Sequence, residues 1–204
     1  MKRPAAARLL GMTDNEITAV RAAVMSAESR TSGEIAIAVT PESADYSFNE
    51  LFVSVILGAA AFAGLLPFHA QITAWLDRLF WHAPAWYAPA FYGIVSFAVI
   101  AAAFFFANIP AIDRLVIPRR VRSVSVYRRA LRHFVESGIY ATRERSGILI
   151  FISIMEREVR ILADAGISSQ IDQAEWDALA AALACGIRAK ESGAALVKAV
   201  ADCG

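Results

Sequence analysis

Charge is scarce in this chain. Only 19% of its 204 residues are Asp, Glu, Lys or Arg, and their formal sum is +1. That balance excludes the global basicity of a polyanion-binding protein. Cysteine is scarcer still. Cys185 and Cys203 have neither CxxC spacing nor a histidine at ligand distance in sequence. A zinc framework is therefore excluded, and two free thiols in a reducing compartment are expected. The chain has no P-loop, nucleophile elbow, zinc motif or dinucleotide-binding glycine pattern. Its opening, "MKRPAAARLLGMTDNE", is basic but lacks a long apolar run, so a cleaved signal peptide is not expected.

Apolar residues are in excess: 57% of the chain is hydrophobic and its mean hydropathy is +0.48. Residues 51–66 carry no charge, and the apolar stretch extends from about Phe48 to Phe68. A second uncharged stretch, "WYAPAFYGIVSFAVIAAAFFFANIPAI", covers 86–112. Each is long enough as a helix to cross roughly 30 Å of hydrocarbon. Their length, their all-round apolar character and the adjacency of two such stretches argue against buried core helices. Two transmembrane helices are expected, and no ionisable residue is expected within them.

Between them, Ile72, Trp75, Leu76, Leu79 and Phe80 follow helical spacing, with Gln71, Asp77 and Arg78 off that face. This pattern predicts a short amphipathic helix on the membrane surface. Trp75, Trp81, Trp86 and Tyr87 suit the aromatic belt. His69 and His82 read as interfacial polar residues, because nothing clusters with them. Arg114, Arg119, Arg120, Arg122, Arg128, Arg129 and Arg132 follow the second span, against Arg78 alone between the spans. The positive-inside rule then makes both termini cytoplasmic, with Lys2, Arg3 and Arg8 compatible. A two-pass protein of a bacterial-type inner membrane is expected.

The flanks read as one interrupted domain. Thr13 and Glu16 have capping-box spacing and open a helix with a stripe of Ile17, Val20, Val24 and Ala27. "IAIAV" (35–39) is a strand, apolar on both faces. Pro118 starts a second helix, with an expected buried stripe of Val121, Val124, Tyr127, Leu131 and Phe134, ended by Gly138. "GILIFISI" (147–154) suits a strand covered on both faces. "EVRILAD" (158–164) alternates and follows a tight turn, so the pair is an antiparallel hairpin. Glu156 and Arg157 in that turn are expected to be exposed, and "AGISSQ" to be a connecting loop. Asp172 and Glu175 signal another helix, with Trp176, Leu179 and Leu183 in the core. A last helix runs from about Gly193 to Ala201. The predicted fold class is α/β: a small mixed sheet with helices on both faces, interrupted by a two-helix transmembrane hairpin. Residues 1–46 and 113–204 form the two parts of the domain, and 47–112 form the hairpin.

Three segments, "AESRTSGEIAIAV" (27–39), "ALRHFVESGIYATRERSGILIFISIMEREVRILADAGI" (130–167) and "DQAEW" (172–176), together resemble the TPM domain family. The resemblance implies a small sheet sandwiched by helices. It also implies two candidate activities, since some members are weak acid phosphatases and some bind a divalent metal in an acidic groove. Secreted members commonly carry a signal peptide and a C-terminal span; here the apolar segments are internal.

Phosphate-ester hydrolysis needs a metal-activated water or a nucleophile with a charge clamp. Glu34, Asp45 and Asp164 are the candidate ligands, and as carboxylates they would suit Mg²⁺ or Ca²⁺. The simpler reading makes Glu34 a local cap or pair and Asp164 the fixer of a turn. Arg143 and Arg145 either contact a phosphate or belong to a solvated loop. Arg119, Arg120, Arg122, Arg128 and Arg129 either reflect the positive-inside bias or contact anionic lipid. Nucleic acid is not expected as a partner, because no aromatic platform accompanies the arginines. The leading expectation is a membrane-anchored interaction or maintenance module for membrane proteins. A weak metal-dependent phosphatase is the alternative, and a small channel or transporter subunit is the third reading.

Overall fold

The computed structural model describes residues 5–30, 33–81, 84–107, 117–142 and 144–204. It divides the chain into two compact units. One comprises Met1–Ala44 with Arg119–Gly204, and the other is Asp45–Pro118.

The first unit is built on three strands: β1 (Ile35–Thr40), β2 (Ile148–Ser153) and β3 (Glu158–Ala163). Their order is β1-β2-β3, with β1 parallel and β3 antiparallel to β2. The register sets Ile35 opposite Ile148 and Ile148 opposite Ala163. The pairing is extended by Ile148 N–H to the Glu34 carbonyl at 2.8 Å and Ile154 N–H to the Thr40 carbonyl at 3.1 Å. The central strand is buried at all six positions, as its unbroken apolar run predicts. The sheet is the small mixed α/β sheet expected.

Alternation along β2 sends its side chains to two separate cores. Ile148, Ile150 and Ile152, with Ile35, Val159 and Ile161, meet one helical layer. That layer holds α1 (Ala5–Leu9), α2 (Asp14–Arg30) and two helices from the end of the chain. Leu149 and Phe151 meet α6 (Arg119–Glu136) through Val126, Ala130 and Phe134. Each fully buried Ile or Leu contributes about 2 kcal/mol. Covering one face of β2 alone would leave half of that contribution unrealised.

The helix-start signal at Thr13 is present as geometry. Thr13 N–H and Oγ1–H both donate to Glu16 Oε2 at 2.7 Å, and Glu16 N–H faces Thr13 Oγ1 at 3.4 Å. These bonds, the backbone one first, hold the Glu16 carboxyl below the usual carboxylate range. A lowered carboxyl pKa adds stability above the unfolded value, and that contribution disappears as pH falls through the folded one.

After β3 come α7 (Ala165–Ser168), α8 (Gln173–Arg188) and α9 (Ser192–Cys203). Trp176 and Leu183 of α8 are buried, as their spacing predicts. α9 packs on α2, and a Cβ on Gly193 would come within 2.6 Å of the Glu16 side chain.

Four expectations need correction. The stripe of α6 is misplaced: Val121, Val124, Tyr127 and Leu131 are 41–48% exposed, whereas Val126, Ala130 and Phe134 are buried. The helix carries two apolar stripes. The sheet takes the one with the small Ala130 because Leu149 and Phe151 already fill the space between. Glu156 is buried, because its carboxylate turns inward to the Ser43 N–H at 2.9 Å and to the Ser153 hydroxyl. Residues 165–168 form a helical turn, because Asp164 Oδ1 caps it by accepting the Ala165 N–H at 2.6 Å. The first apolar helix contains an ionisable residue, since it starts at Ser47 and holds Glu50 in its first turn.

The second unit contains α3 (Ser47–Leu65), a 3-10 turn at Leu66–Phe68, α4 (His69–Phe80) and α5 (Tyr87–Ala107). Two helical stretches here, Ser47–Phe80 and Tyr87–Phe106, are long and apolar enough to cross a membrane. α3 and α5 lie antiparallel: Gly58 faces Ser96 and Ile100, and Phe62 faces Tyr92. Glu50, Ser54 and Gly58 form the buried line of α3, spaced one turn apart. α4 follows the expected amphipathic pattern, with Leu76 buried against Ala88 and Tyr92 while Trp75 and Leu79 remain exposed. His69 Nδ1 bonds the Tyr92 hydroxyl at 2.9 Å. His82 and Arg114, like Lys2 and Arg3, lie outside the described residues.

The α3–α5 contact sets a sharp size limit. A Cβ at Gly58 would meet Ile100 Cγ1 at 2.3 Å, whereas one at Gly64 meets nothing within 4 Å. Gly58→Ala should destabilise the detergent-solubilised chain by about 1–3 kcal/mol through overpacking. Gly64→Ala should be neutral or stabilising by up to about 1 kcal/mol. Equal thermal midpoints for the two variants would refute the close approach.

Candidate functional site

Polar side chains collect at the two ends of the sheet. At the end where β1 begins, the register places Glu34, Gly147 and Asp164 in the row beyond Ile35, Ile148 and Ala163. Two strand spacings separate Glu34 and Asp164, about 10 Å of backbone. Glu34 is exposed. Asp164 is occupied as the cap of α7. Asp45 belongs to the other unit, where its Oδ1 accepts the Ser47 N–H at 2.9 Å and the Ser47 hydroxyl at the start of α3. The hydroxyl first, then the N–H, holds the Asp45 carboxyl below its ordinary range.

Among the described residues, no three His, Cys, Asp or Glu side chains come together as a metal-holding group. A hard cation takes about six oxygens or more. Asp164 is engaged as the cap of α7 and Asp45 with Ser47, two residues on, and no chemical step is derived through a metal.

Arg145 is exposed, on left-handed backbone (φ +50°), and its carbonyl accepts the Gly166 N–H at 3.0 Å. A Cβ on Gly166 would fall 2.3 Å from the Glu144 carbonyl oxygen. The loop before β2 is thus seated directly on α7. Arg143 lies outside the described residues. Along α6, Arg119, Arg120, Arg128 and Arg129 are exposed. Arg122 is half-buried, and its Nε is without a partner among the described residues.

At the other end, the β2–β3 turn organises a buried polar cluster. Ser153 Oγ lies between Ser43 Oγ, at 2.7 Å, and the Glu156 carboxylate. Ser153 is only 1% exposed. The cluster ties the segment after β1 to the end of β2. On β3, Glu158 binds Ser123 Oγ at 3.0 Å and pairs with Arg160 at 2.7 Å, which joins α6 to the sheet.

Beside this turn lies a cleft of about 560 Å³ on the α1–α8–α9 side. Arg8, Arg157, Arg188 and Lys190 line it above Leu10, Ile152 and Ile187. The sequence carries no motif for this group, because its members come from α1, the β2–β3 turn, and the end of α8 with the turn after it. Neither cysteine lines the cleft. Burial pushes the Cys203 thiol up to about 11, with Asp202 adding to the shift, so it stays protonated near neutral pH.

If Asp164 serves the fold, Asp164→Ala should cost about 1 kcal/mol through the lost cap. Any phosphate-ester turnover by the purified chain should be unchanged. Loss of metal-dependent turnover with unfolding stability intact would make Asp164 a ligand instead.

Residues 114–204 match the TPM domain family profile. Among solved structures, the chain is similar to the NMR structure of the BA42 protein from the psychrophilic bacterium Bizionia argentinensis. The identity is 15%, the TM-score is 0.48, and the match covers 92% of this chain and 75% of that one. No curated protein matches the sequence. The matched residues include two of the three segments that carry the resemblance, 130–167 and 172–176, and residues 114–204 are thus similar to the TPM domain family.

Proposed function

We propose that this chain is a TPM-domain protein anchored in a bacterial-type inner membrane by α3 and α5, and that its domain works at the cytoplasmic face. It acts by binding, as an interaction or maintenance module for membrane proteins, with lipid as its first contact. Two crossings return the chain to its starting side, which agrees with the pairing of β1 and β2 in one unit. The arginine excess after the second span favours the cytoplasm for that side.

The observation that carries this reading is the exposed stripe of α6. Val121, Val124, Tyr127, Leu131 and Val135 are 41–53% exposed on one face. At about 100° per residue, Arg128 and Arg132 run along the border of that stripe. α6 starts at Arg119, twelve positions after α5 ends at Ala107. An apolar stripe bordered by arginines matches the boundary between acyl chains and anionic headgroups. Each arginine near such a surface contributes about 1 kcal/mol. Membrane proteins would be met in the plane of that surface.

Two measurements test the reading. A bimane at Val124→Cys, in the full chain carrying Cys185→Ala and held in nanodiscs, should be quenched by nitroxide-labelled lipid. Quenching should rise when phosphatidylglycerol replaces part of the phosphatidylcholine, and should fall in an Arg120, Arg128, Arg132→Gln variant. A bimane that stays water-quenched in every bilayer would sink the lipid contact. For orientation, the exposed Cys185 is a native reporter. An impermeant maleimide should label it only after the membrane is opened, and labelling in intact cells would refute the cytoplasmic placement.

A further inference from the structure

The cleft beside the β2–β3 turn has an unusual charge state. Four cations line it: Arg8, Arg157, Arg188 and Lys190, all exposed at its rim. Glu158 is the single carboxylate in the lining, and it is already paired with Arg160. Among the described residues, no ion pair or side-chain hydrogen bond engages any of the four cations. Four like charges around one concavity repel one another, and that repulsion is relieved by an anion brought from outside.

The backbone supplies a second, independent observation. Arg157 has φ +54° and Lys190 has φ +65°. These are left-handed positions, where glycine is the unstrained residue. Lys190 occupies the left-handed position just beyond the end of α8. Its N–H bonds the Ile187 carbonyl at 3.1 Å, and the Glu191 N–H bonds the Gly186 carbonyl at 3.0 Å. Glycine is the usual residue in that motif. At both sites a long cation stands where local conformation favours glycine, and both side chains border the same cleft. Backbone strain of this kind concentrates at ligand sites.

The floor is aliphatic, formed by Leu9, Leu10, Ile152, Ile154, Val159 and Ile187. A volume of about 560 Å³ is the size of a small-molecule site. We infer that this cleft binds a small amphiphilic anion: a head with at least two negative charges on a short apolar body. The arginines clamp the head through paired N–H donors. The floor takes the body, and Lys190 adds a point charge. The site is distinct from the stripe of α6, which lies on the opposite face of the sheet.

Phenylphosphonate is a suitable probe, because it is a dianion with an apolar ring and has no ester to hydrolyse. With the full chain in phosphatidylcholine nanodiscs, equilibrium dialysis should show one saturable site. Inorganic phosphate, the head without a body, should bind at least tenfold more weakly, and affinity should fall with added salt. The double variant Arg157→Gly, Lys190→Gly should bind phenylphosphonate at least tenfold more weakly. Its thermal midpoint should equal or exceed that of the unaltered chain, because glycine relieves both backbone sites. Absence of saturation, or unchanged binding by a folded double variant, overturns the inference. Phosphate binding as tight as phenylphosphonate would remove the apolar half of the ligand and overturn it as stated. Repeating the titration with phosphatidic acid in the nanodisc separates the sources. Competition points to a lipid headgroup, and undiminished binding to a soluble anion, with the cleft upheld in both cases. A negative result leaves the lipid contact of α6 standing, since quenching at Val124 reads a different face.

Discussion

The structure depends on one pairing, the parallel ladder that sets Ile35–Thr40 against Ile148–Ser153. β2 is central and apolar on both sides, so it needs a strand at each edge and a layer on each face. A hairpin supplies β3 cheaply, because only a short turn separates it from β2. The other edge can be filled only by a strand from the far side of the apolar helices. Bringing it there costs loop entropy, but that cost grows only with the logarithm of length. The ladder and the two cores it completes offset the cost.

The same pairing explains why two unlike regions can share one chain. α3 to α5 contact one another closely, as at Gly58 and Ile100, and form their own unit. The insertion leaves after the first edge strand, where a connection of any length meets no packing constraint. The domain folds around the junction: the Ser43–Ser153–Glu156 cluster ties the chain leaving β1 to the end of β2. Function follows from that arrangement. Among the described residues, α6 is the next element along the chain after the second apolar helix.

Much of the fold was legible in residue order. The capping box at Thr13 and Glu16, the unbroken run of β2, the alternation of β3 and the stop at Gly138 each encode a local geometry that needs no partner. The stripe of α6 was not legible. Val121, Val124, Tyr127 and Leu131 make the more hydrophobic face, yet burial selects Val126, Ala130 and Phe134 because shape decides which face fits over Leu149 and Phe151. The burial of Glu156 has a related reason: a turn carboxylate is normally solvated, and the distant Ser43 N–H, together with the Ser153 hydroxyl, makes burial tolerable.

The candidate sites divide the same way. By itself the sequence determined the class of fold, the two apolar segments, the family resemblance and the local caps, because these depend on neighbours within a few residues. Tertiary structure decided that Asp164 caps α7, that Asp45 bonds Ser47, and that Arg8, Arg157, Arg188 and Lys190 surround one cleft. Those four residues come from three separate segments of the chain, and two of them stand on left-handed backbone. No spacing rule joins them. Only the packing of α1 and the end of α8 beside the β2–β3 turn brings their charges together.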